Sequence, residues 1–184
     1  MLLLNKKTVL LTASVLSISA FAGLASAHCL TGRTLAAATS AVDLYRVKCF
    51  DDGPGNADHI DALINNEAGG ASVRAQIARE GFRPSGISTD STSAATNCAA
   101  ATNITLDPND PVTQPGTTAV NGNGDYNILV NKTSSTAKTY GLVFHCETSG
   151  NVETGTSEVH AGSAAPELAG NAALGGDIDL IIDQ

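Results

Sequence analysis

The chain has 184 residues and a formal net charge of −8, and only 4% of its residues are aromatic. Its length allows one domain with a core of its own. Because an acidic surface repels phosphate backbones and anionic lipid, the charge excludes nucleic-acid binding.

Residues 1–27 have the pattern of a secretory signal peptide. Two lysines precede an uncharged apolar run, which ends in Ala25-Ser26-Ala27, a small-x-small cleavage pattern. The apolar run is also about long enough for a membrane anchor, but the cleavage pattern favours a signal peptide, with no transmembrane segment after its removal. We therefore predict a secreted or periplasmic bacterial protein, cleaved after Ala27 or, alternatively, after Ala22. Cleavage after Ala27 leaves 8 basic and 18 acidic residues and a net charge of −10.

Four cysteines follow the predicted signal peptide: Cys29, Cys49, Cys98 and Cys146. In an exported chain, an even number of cysteines indicates disulfide bonds. Three pairings are compatible with the sequence. We favour Cys29–Cys49 with Cys98–Cys146, because the first bond would attach the N-terminus to the first predicted strand.

The first predicted strand spans residues 43–49, where apolar and polar residues alternate. Tyr45, Val47 and Cys49 are expected on its buried face, and Asp43 is assigned to the solvent face. Gly and Pro residues that favour turns follow at positions 51–56.

The middle of the chain has weaker patterns. Residues 58–67 fit either helical or strand spacing, whereas residues 72–79 alternate and predict a strand. Short strands are expected near Ile87 and at residues 104–106, within a region rich in Ser, Thr, Asn, Pro and Gly.

The strongest pattern is a pair of alternating runs at residues 124–133 and 138–147. The short, polar segment between them predicts a β-hairpin. The residues expected on the buried faces are Tyr126, Ile128, Val130, Tyr140, Leu142, Phe144 and Cys146.

These elements together predict an all-β fold, an antiparallel, jelly-roll-like β-sandwich stabilised by disulfides. The sandwich is expected to span residues 28–147. Residues 148–184 are interpreted as a Gly/Ala/Ser-rich tail, in which residues 177–183 are an apolar segment suited to a terminal strand.

Three segments resemble the bacterial pre-peptidase C-terminal domains. They are an opening Tyr45-Arg46-Val47, a middle block ending in Val73-Arg74-Ala75-Gln76-Ile77, and the run from Gly124 to Val130 followed by Tyr140-Gly141-Leu142. The resemblance covers residues 42–146. It implies a secreted sandwich domain, and some members of that family bind calcium or polysaccharide. This chain differs by carrying cysteines at two strand ends and by having no attached protease, so an accessory role to a neighbouring enzyme is not carried over.

No nucleophile elbow, zinc-protease motif or phosphate loop is present in the sequence. We therefore predict a protein without catalytic activity.

Histidines are the candidate metal ligands. If cleavage follows Ala27, His28 offers an α-amine and an imidazole, which together with one more histidine would resemble a copper histidine brace. His145, His59 and His160 are the candidate partners, and nitrogen donors suit Cu²⁺. The alternative is that these histidines are ordinary surface residues.

Calcium is a less favoured cofactor. Oxygen donors occur in the turns at residues 51–52, 107–110 and 123–125, but none of these turns matches an EF-hand loop. Asp and Asn also occur in turns for conformational reasons.

The predicted function is therefore that of a secreted, non-catalytic binding protein. Its ligand is expected to be a glycan or a metal ion, copper through His28, and a protein partner is a further option. The alternative is a structural subunit of a matrix, surface layer or filament, which would self-associate through the terminal apolar segment.

Overall fold

The computed structural model describes residues 28–92, 102–114, 121–158 and 180–183, and this part of the chain contains strands but no helix. The predicted all-β fold is confirmed. The strands are β1 (His28–Leu35), β2 (Val42–Phe50), β3 (His59–Asn66), β4 (Val73–Ala78), β5 (Ser88–Asp90), β6 (Thr102–Leu106), β7 (Gly124–Lys132), β8 (Lys138–Glu147), β9 (Glu153–Glu158) and β10 (Leu180–Asp183).

The strands form two antiparallel sheets. In sheet A, β8 lies between β1 and β3, and β6 flanks β3. In sheet B, β2 lies between β7 and β10, and β4 and β5 follow beyond β7. The six-residue strand β9 bonds to both sheets, pairing Thr154 with Cys146 of β8 and Thr156 with Cys49 of β2. The two sheets thus form a sandwich that β9 closes along one side.

The core lies between the sheets and is formed by every second residue of the long strands, as expected for half-buried strands. The buried faces predicted for β2, β7 and β8 are confirmed. Their buried residues are Tyr45, Val47, Cys49, Tyr126, Ile128, Val130, Tyr140, Leu142, Phe144 and Cys146.

The predicted hairpin of β7 and β8 is wrong, although both strands exist. β7 pairs with β2 and β4 in sheet B, whereas β8 pairs with β1, β3 and β9 in sheet A. The short segment between them carries the chain from one sheet to the other. Both strands bury an alternating apolar face. This pattern fits two neighbouring strands of one sheet as well as two strands in facing sheets.

Asp43 is also placed differently from the prediction. It shares the buried face of β2 with Tyr45 and is only 1% exposed. The Tyr140 hydroxyl donates a hydrogen bond to Asp43 and also bonds to the Tyr45 hydroxyl across the core. Burial, together with the neighbouring Tyr45 and Asp43, raises the pKa of Tyr140. A polar group within the core therefore connects the two sheets.

The favoured disulfide pairing is wrong, because Cys49 bonds to Cys146 with a Cα–Cα distance of 5.7 Å. These two cysteines face each other across the core, from β2 and β8. Cys29 is exposed and lies opposite Val143, on strand β1 of sheet A, whereas the buried Cys49 is on β2 of sheet B. Cys29 is also disulfide-bonded, and Cys98 lies outside the described residues.

The ambiguous segment at residues 58–67 forms strand β3, because Ile60, Ala62 and Ile64 are all buried on one face. The strand predicted at residues 72–79 is confirmed as β4. Two strands, β1 and β9, were not predicted. The latter lies beyond residue 147, in the segment interpreted as tail, and β10 lies within the terminal apolar segment.

Candidate metal site on the outer face of sheet A

Four ionisable residues meet on the outer face of sheet A, and we call them the histidine–carboxylate cluster: His59, Asp61, His145 and Glu147. His59 and Asp61 lie on β3, and His145 and Glu147 lie on β8. The strand register places His59 opposite Glu147 and Asp61 opposite His145. Since residues opposite each other in an antiparallel pair share a face, all four side chains leave the sheet on the same side.

His59 lies between two carboxylates. Its Nε2 atom is 3.3 Å from Oε2 of Glu147, and its Nδ1 atom is 3.4 Å from Oδ2 of Asp58. The His59 side chain is only 12% exposed. In metal sites, a ligating histidine commonly presents its second nitrogen to a carboxylate, which fixes the ring orientation. Asp58 occupies that position here, and Nε2 is directed into the cluster.

The carboxylate of Asp61 is oriented by the neighbouring strand β6. Thr105 donates a hydrogen bond from its hydroxyl to Oδ1, and Asn103 donates one from its amide to Oδ2 at 3.4 Å. Thr105 lies opposite Asp61 in the strand register. Two neutral donors thus hold this carboxylate in place without neutralising its charge.

His145 completes the cluster at the edge near Glu147. Its Nε2 atom is 2.9 Å from Oε1 of Glu147, and its side chain is 16% exposed. The Nδ1 atom is buried and has no hydrogen-bond partner within the described part of the chain. Glu147 therefore contacts both imidazoles, with one carboxylate oxygen for each.

The ligand atoms of His59, Asp61 and Glu147 all lie within 4.8 Å of one another. One nitrogen and two carboxylate oxygens at this spacing form a set that a divalent cation can bridge. The negative charges of Asp61 and Glu147, and of Asp58 on the far side of the His59 ring, favour a cation at this position.

Of the histidines predicted as metal ligands, His59 and His145 both contact Glu147. The candidate ligands Asp61 and Glu147 were not predicted from the sequence. Strand alternation already put each histidine on the same face as one of these carboxylates, two residues away. The missing information was that β3 and β8 are neighbours, although 84 residues separate Asp61 from His145 along the chain and 88 separate His59 from Glu147. Pairing over such a separation has no signal in a single sequence.

His28 is the first residue of β1 and lies opposite Phe144, the residue before His145. His160 lies outside the described residues. The pairing of His28 with a second histidine in a copper brace stays a prediction.

The calcium candidates hold turns. Asp51 accepts hydrogen bonds from the backbone amides of Gly53 and Gly55, and Asp107 accepts one from Asn109. Asp125 forms an ion pair with Arg46 on the outer face of sheet B. The oxygens of Asp51 and Asp107 are thus engaged in turns and that of Asp125 in an ion pair, and calcium binding stays a prediction.

Comparison with known proteins gives no match to a family model and no match to a curated protein. Within the described residues, no helix is long and apolar enough to span a membrane.

Proposed function

We propose that the protein is an exported, non-catalytic binding protein for a divalent transition-metal ion, which is held by His59, Asp61 and Glu147 on the outer face of sheet A. The observation that carries this proposal is the approach of one imidazole nitrogen and two carboxylate oxygens to within 4.8 Å of one another. The export assignment rests on the signal-peptide pattern of residues 1–27.

The surroundings of these ligands support a metal site over an incidental surface cluster. Asp58 faces the second nitrogen of His59, and Thr105 and Asn103 bond to the Asp61 carboxylate. Such outer contacts orient ligands and raise their affinity for metal ions. Exposed ion pairs, in contrast, have little energetic reason to hold one geometry.

The same features favour a metal ion over a glycan as ligand. Sugar rings commonly stack on exposed aromatic side chains. Among the described residues, Tyr45, Tyr126, Tyr140 and Phe144 are buried, and Phe50 and Phe82 are only partly exposed. Polysaccharide binding, which the resemblance to pre-peptidase C-terminal domains implies, stays a prediction that retention on a polysaccharide column would test.

The proposal is tested by titrating the exported chain with Zn²⁺ and Cu²⁺ in a calorimeter. We expect one site per chain, weakened by at least about tenfold in Asp61→Asn and Glu147→Gln. The matched control is Asp125→Asn, which removes a carboxylate from the outer face of sheet B. Equal affinities of all variants and the wild type would contradict the proposal.

A structural subunit is the second candidate function, and the observation that favours it is β10. This C-terminal strand adds to the edge of β2, with Leu180 opposite Tyr45 and Asp183 opposite Asp43. A strand that completes its own sheet can complete the sheet of a second copy in the same register. Light scattering over a range of concentrations tests this: assembly that is lost on deleting residues 177–184 supports a subunit, and a monomer at all concentrations argues against it.

A further inference from the structure

We propose that His145 is a fourth ligand of this site, and that the set of two imidazoles and two carboxylates selects Cu²⁺. This inference rests on the proposed function, because it concerns the same ion. It adds the ligand and the class of metal that the three-residue set leaves undefined.

The position of His145 supports its role as a ligand. Its Nε2 atom is 2.9 Å from Oε1 of Glu147, and the other oxygen of that carboxylate is 3.3 Å from Nε2 of His59. One carboxylate therefore contacts both imidazoles and brings His145 next to the three-residue set. A cation bound beside Glu147 would lie close to both rings.

The second nitrogen of His145 gives an independent reason. Nδ1 is buried and has no hydrogen-bond partner among the described residues. Buried polar atoms are rarely left unpaired in folded proteins. Coordination through Nδ1 would pair this atom, while Nε2 keeps its contact with Glu147.

The strand register sets the geometry of the four ligands. His59 opposite Glu147 and Asp61 opposite His145 form two neighbouring cross-strand pairs. Side chains from such pairs rise from a rectangle about 5 Å wide and about 7 Å long. Each histidine is diagonal to the other, as is each carboxylate, so nitrogen and oxygen donors alternate around the centre.

This arrangement distinguishes between classes of metal ion. Ca²⁺ takes six to eight oxygen ligands and Mg²⁺ prefers oxygen in an octahedron, so two nitrogen donors disfavour both. Imidazole and carboxylate suit the later transition metals, and a four-cornered nitrogen and oxygen set is typical of Cu²⁺ or Ni²⁺. Of these two, Cu²⁺ binds more tightly in the general affinity order. Ligands that all come from one sheet leave the outer side of the ion open to water.

The test is electron paramagnetic resonance of the exported chain loaded with one equivalent of CuCl₂, for the wild type, His145→Gln and His59→Gln. Glutamine keeps a hydrogen-bond donor near Glu147 but removes the imidazole. We expect hyperfine coupling to two imidazole nitrogens in the wild type and to one in each variant, with about 10- to 100-fold weaker binding. The control, Asn127→Ala on the outer face of sheet B, should match the wild type. Thermal unfolding of each apo variant shows whether it is folded.

The outcomes separate this inference from the proposed function. If His145→Gln keeps coupling to two nitrogens and full copper affinity, while His59→Gln loses one nitrogen coupling and affinity, His145 is not a ligand and only this inference fails. Displacement of Cu²⁺ by millimolar Ca²⁺ would overturn the metal assignment. If no variant binds copper or zinc differently from the wild type, the proposed function itself fails. Loss of the copper signal in His28→Ala alone would overturn both in favour of the N-terminal brace.

Discussion

Removal of the Cys49–Cys146 bond by the double substitution Cys49→Ala and Cys146→Ala is expected to destabilise the fold strongly. The bond connects β2 of sheet B to β8 of sheet A, beside the strand that bonds to both sheets. Both cysteines are essentially buried, at 1% and 0% exposure, and alanine keeps these positions apolar. The loss should therefore come from the unfolded chain rather than from a new polar group in the core.

The size of the loss follows from the separation of 97 residues between the two cysteines. In the chain-entropy description, a cross-link closing a loop of this length destabilises the unfolded state by roughly 4.7 kcal/mol at 25 °C. Domains are typically stable by only about 5–15 kcal/mol. The substituted chain should therefore lose between about a third and nearly all of the stability of the parent protein.

Urea unfolding, followed by far-ultraviolet circular dichroism, measures this loss. Without the cross-link the unfolded chain is more expanded, so the slope of free energy against urea should rise as the midpoint falls. A decrease in unfolding free energy below about 1 kcal/mol, with an unchanged slope, would refute the entropic reasoning. Peptide mapping of the parent under non-reducing conditions independently checks the pairing.

Three further predictions concern backbone packing and titration. Gly155→Ala should destabilise the protein by about 1–3 kcal/mol in urea unfolding, because the added Cβ would lie 2.6 Å from the Phe50 ring and 2.7 Å from the Phe50 carbonyl oxygen. Alkaline titration should lower stability between about pH 10 and pH 12, by up to roughly 2–3 kcal/mol: burial, partly opposed by Arg79, raises the pKa of Tyr126 to about 12. Tyrosinate absorbance should then rise only with unfolding. Acidification should lower stability as the pH falls below about 4, because the pKa of Asp90 is lowered in the folded protein. Burial acts to raise this pKa, but the hydrogen bonds from Asn66 and Thr92 have the larger combined effect. Asp90→Asn should remove that part of the pH dependence.

Each of these predictions has a control or a contrary result. Gly86→Ala is the control for Gly155, because no atom lies within 4 Å of its added Cβ, and equal losses at both sites would contradict the packing argument. Tyrosinate formation near pH 10 in a folded chain would show that Tyr126 is not shielded from solvent. For Asp90, the direction of the pH dependence decides the test. A pKa that is lowered in the folded state stabilises the protein above the unfolded pKa, and this stability is lost in acid. A rise in unfolding free energy on acidification would contradict the prediction.

The sequence predicted strands and buried faces well, because alternation is a local property that reports directly on burial. It did not predict which strands are neighbours. The separation of β7 and β8 into different sheets and the pairing of Cys49 with Cys146 both depend on contacts between distant segments. Asp43 shows a different limit. Its position in the alternation matched the buried face, but its charge favoured solvent. The Tyr140 hydroxyl, which donates a hydrogen bond to Asp43 in the core, comes from another strand.

The candidate site follows the same division. The sequence drew attention to His59 and His145 as nitrogen donors, but their common face on the sheet depends on the pairing of β3 with β8. The carboxylates of the proposed metal site, Asp61 and Glu147, are two residues from these histidines, but their role could be inferred only once β3 and β8 were paired. Orientation of Asp61 by Thr105 needed a third strand.

The strand β9, with hydrogen bonds to both sheets, has a consequence for local opening of the native state. Amide protons exchange with solvent in cooperative units, and a sandwich of two independent sheets can open one sheet at a time. Here Thr154 and Thr156 join β8 and β2 through one continuous backbone. Opening either sheet on that side must therefore break hydrogen bonds of β9, and the loss of β9 would in turn weaken the other sheet. The amides of β2, β8 and β9 should consequently share one free energy of opening, as a single unit across both sheets.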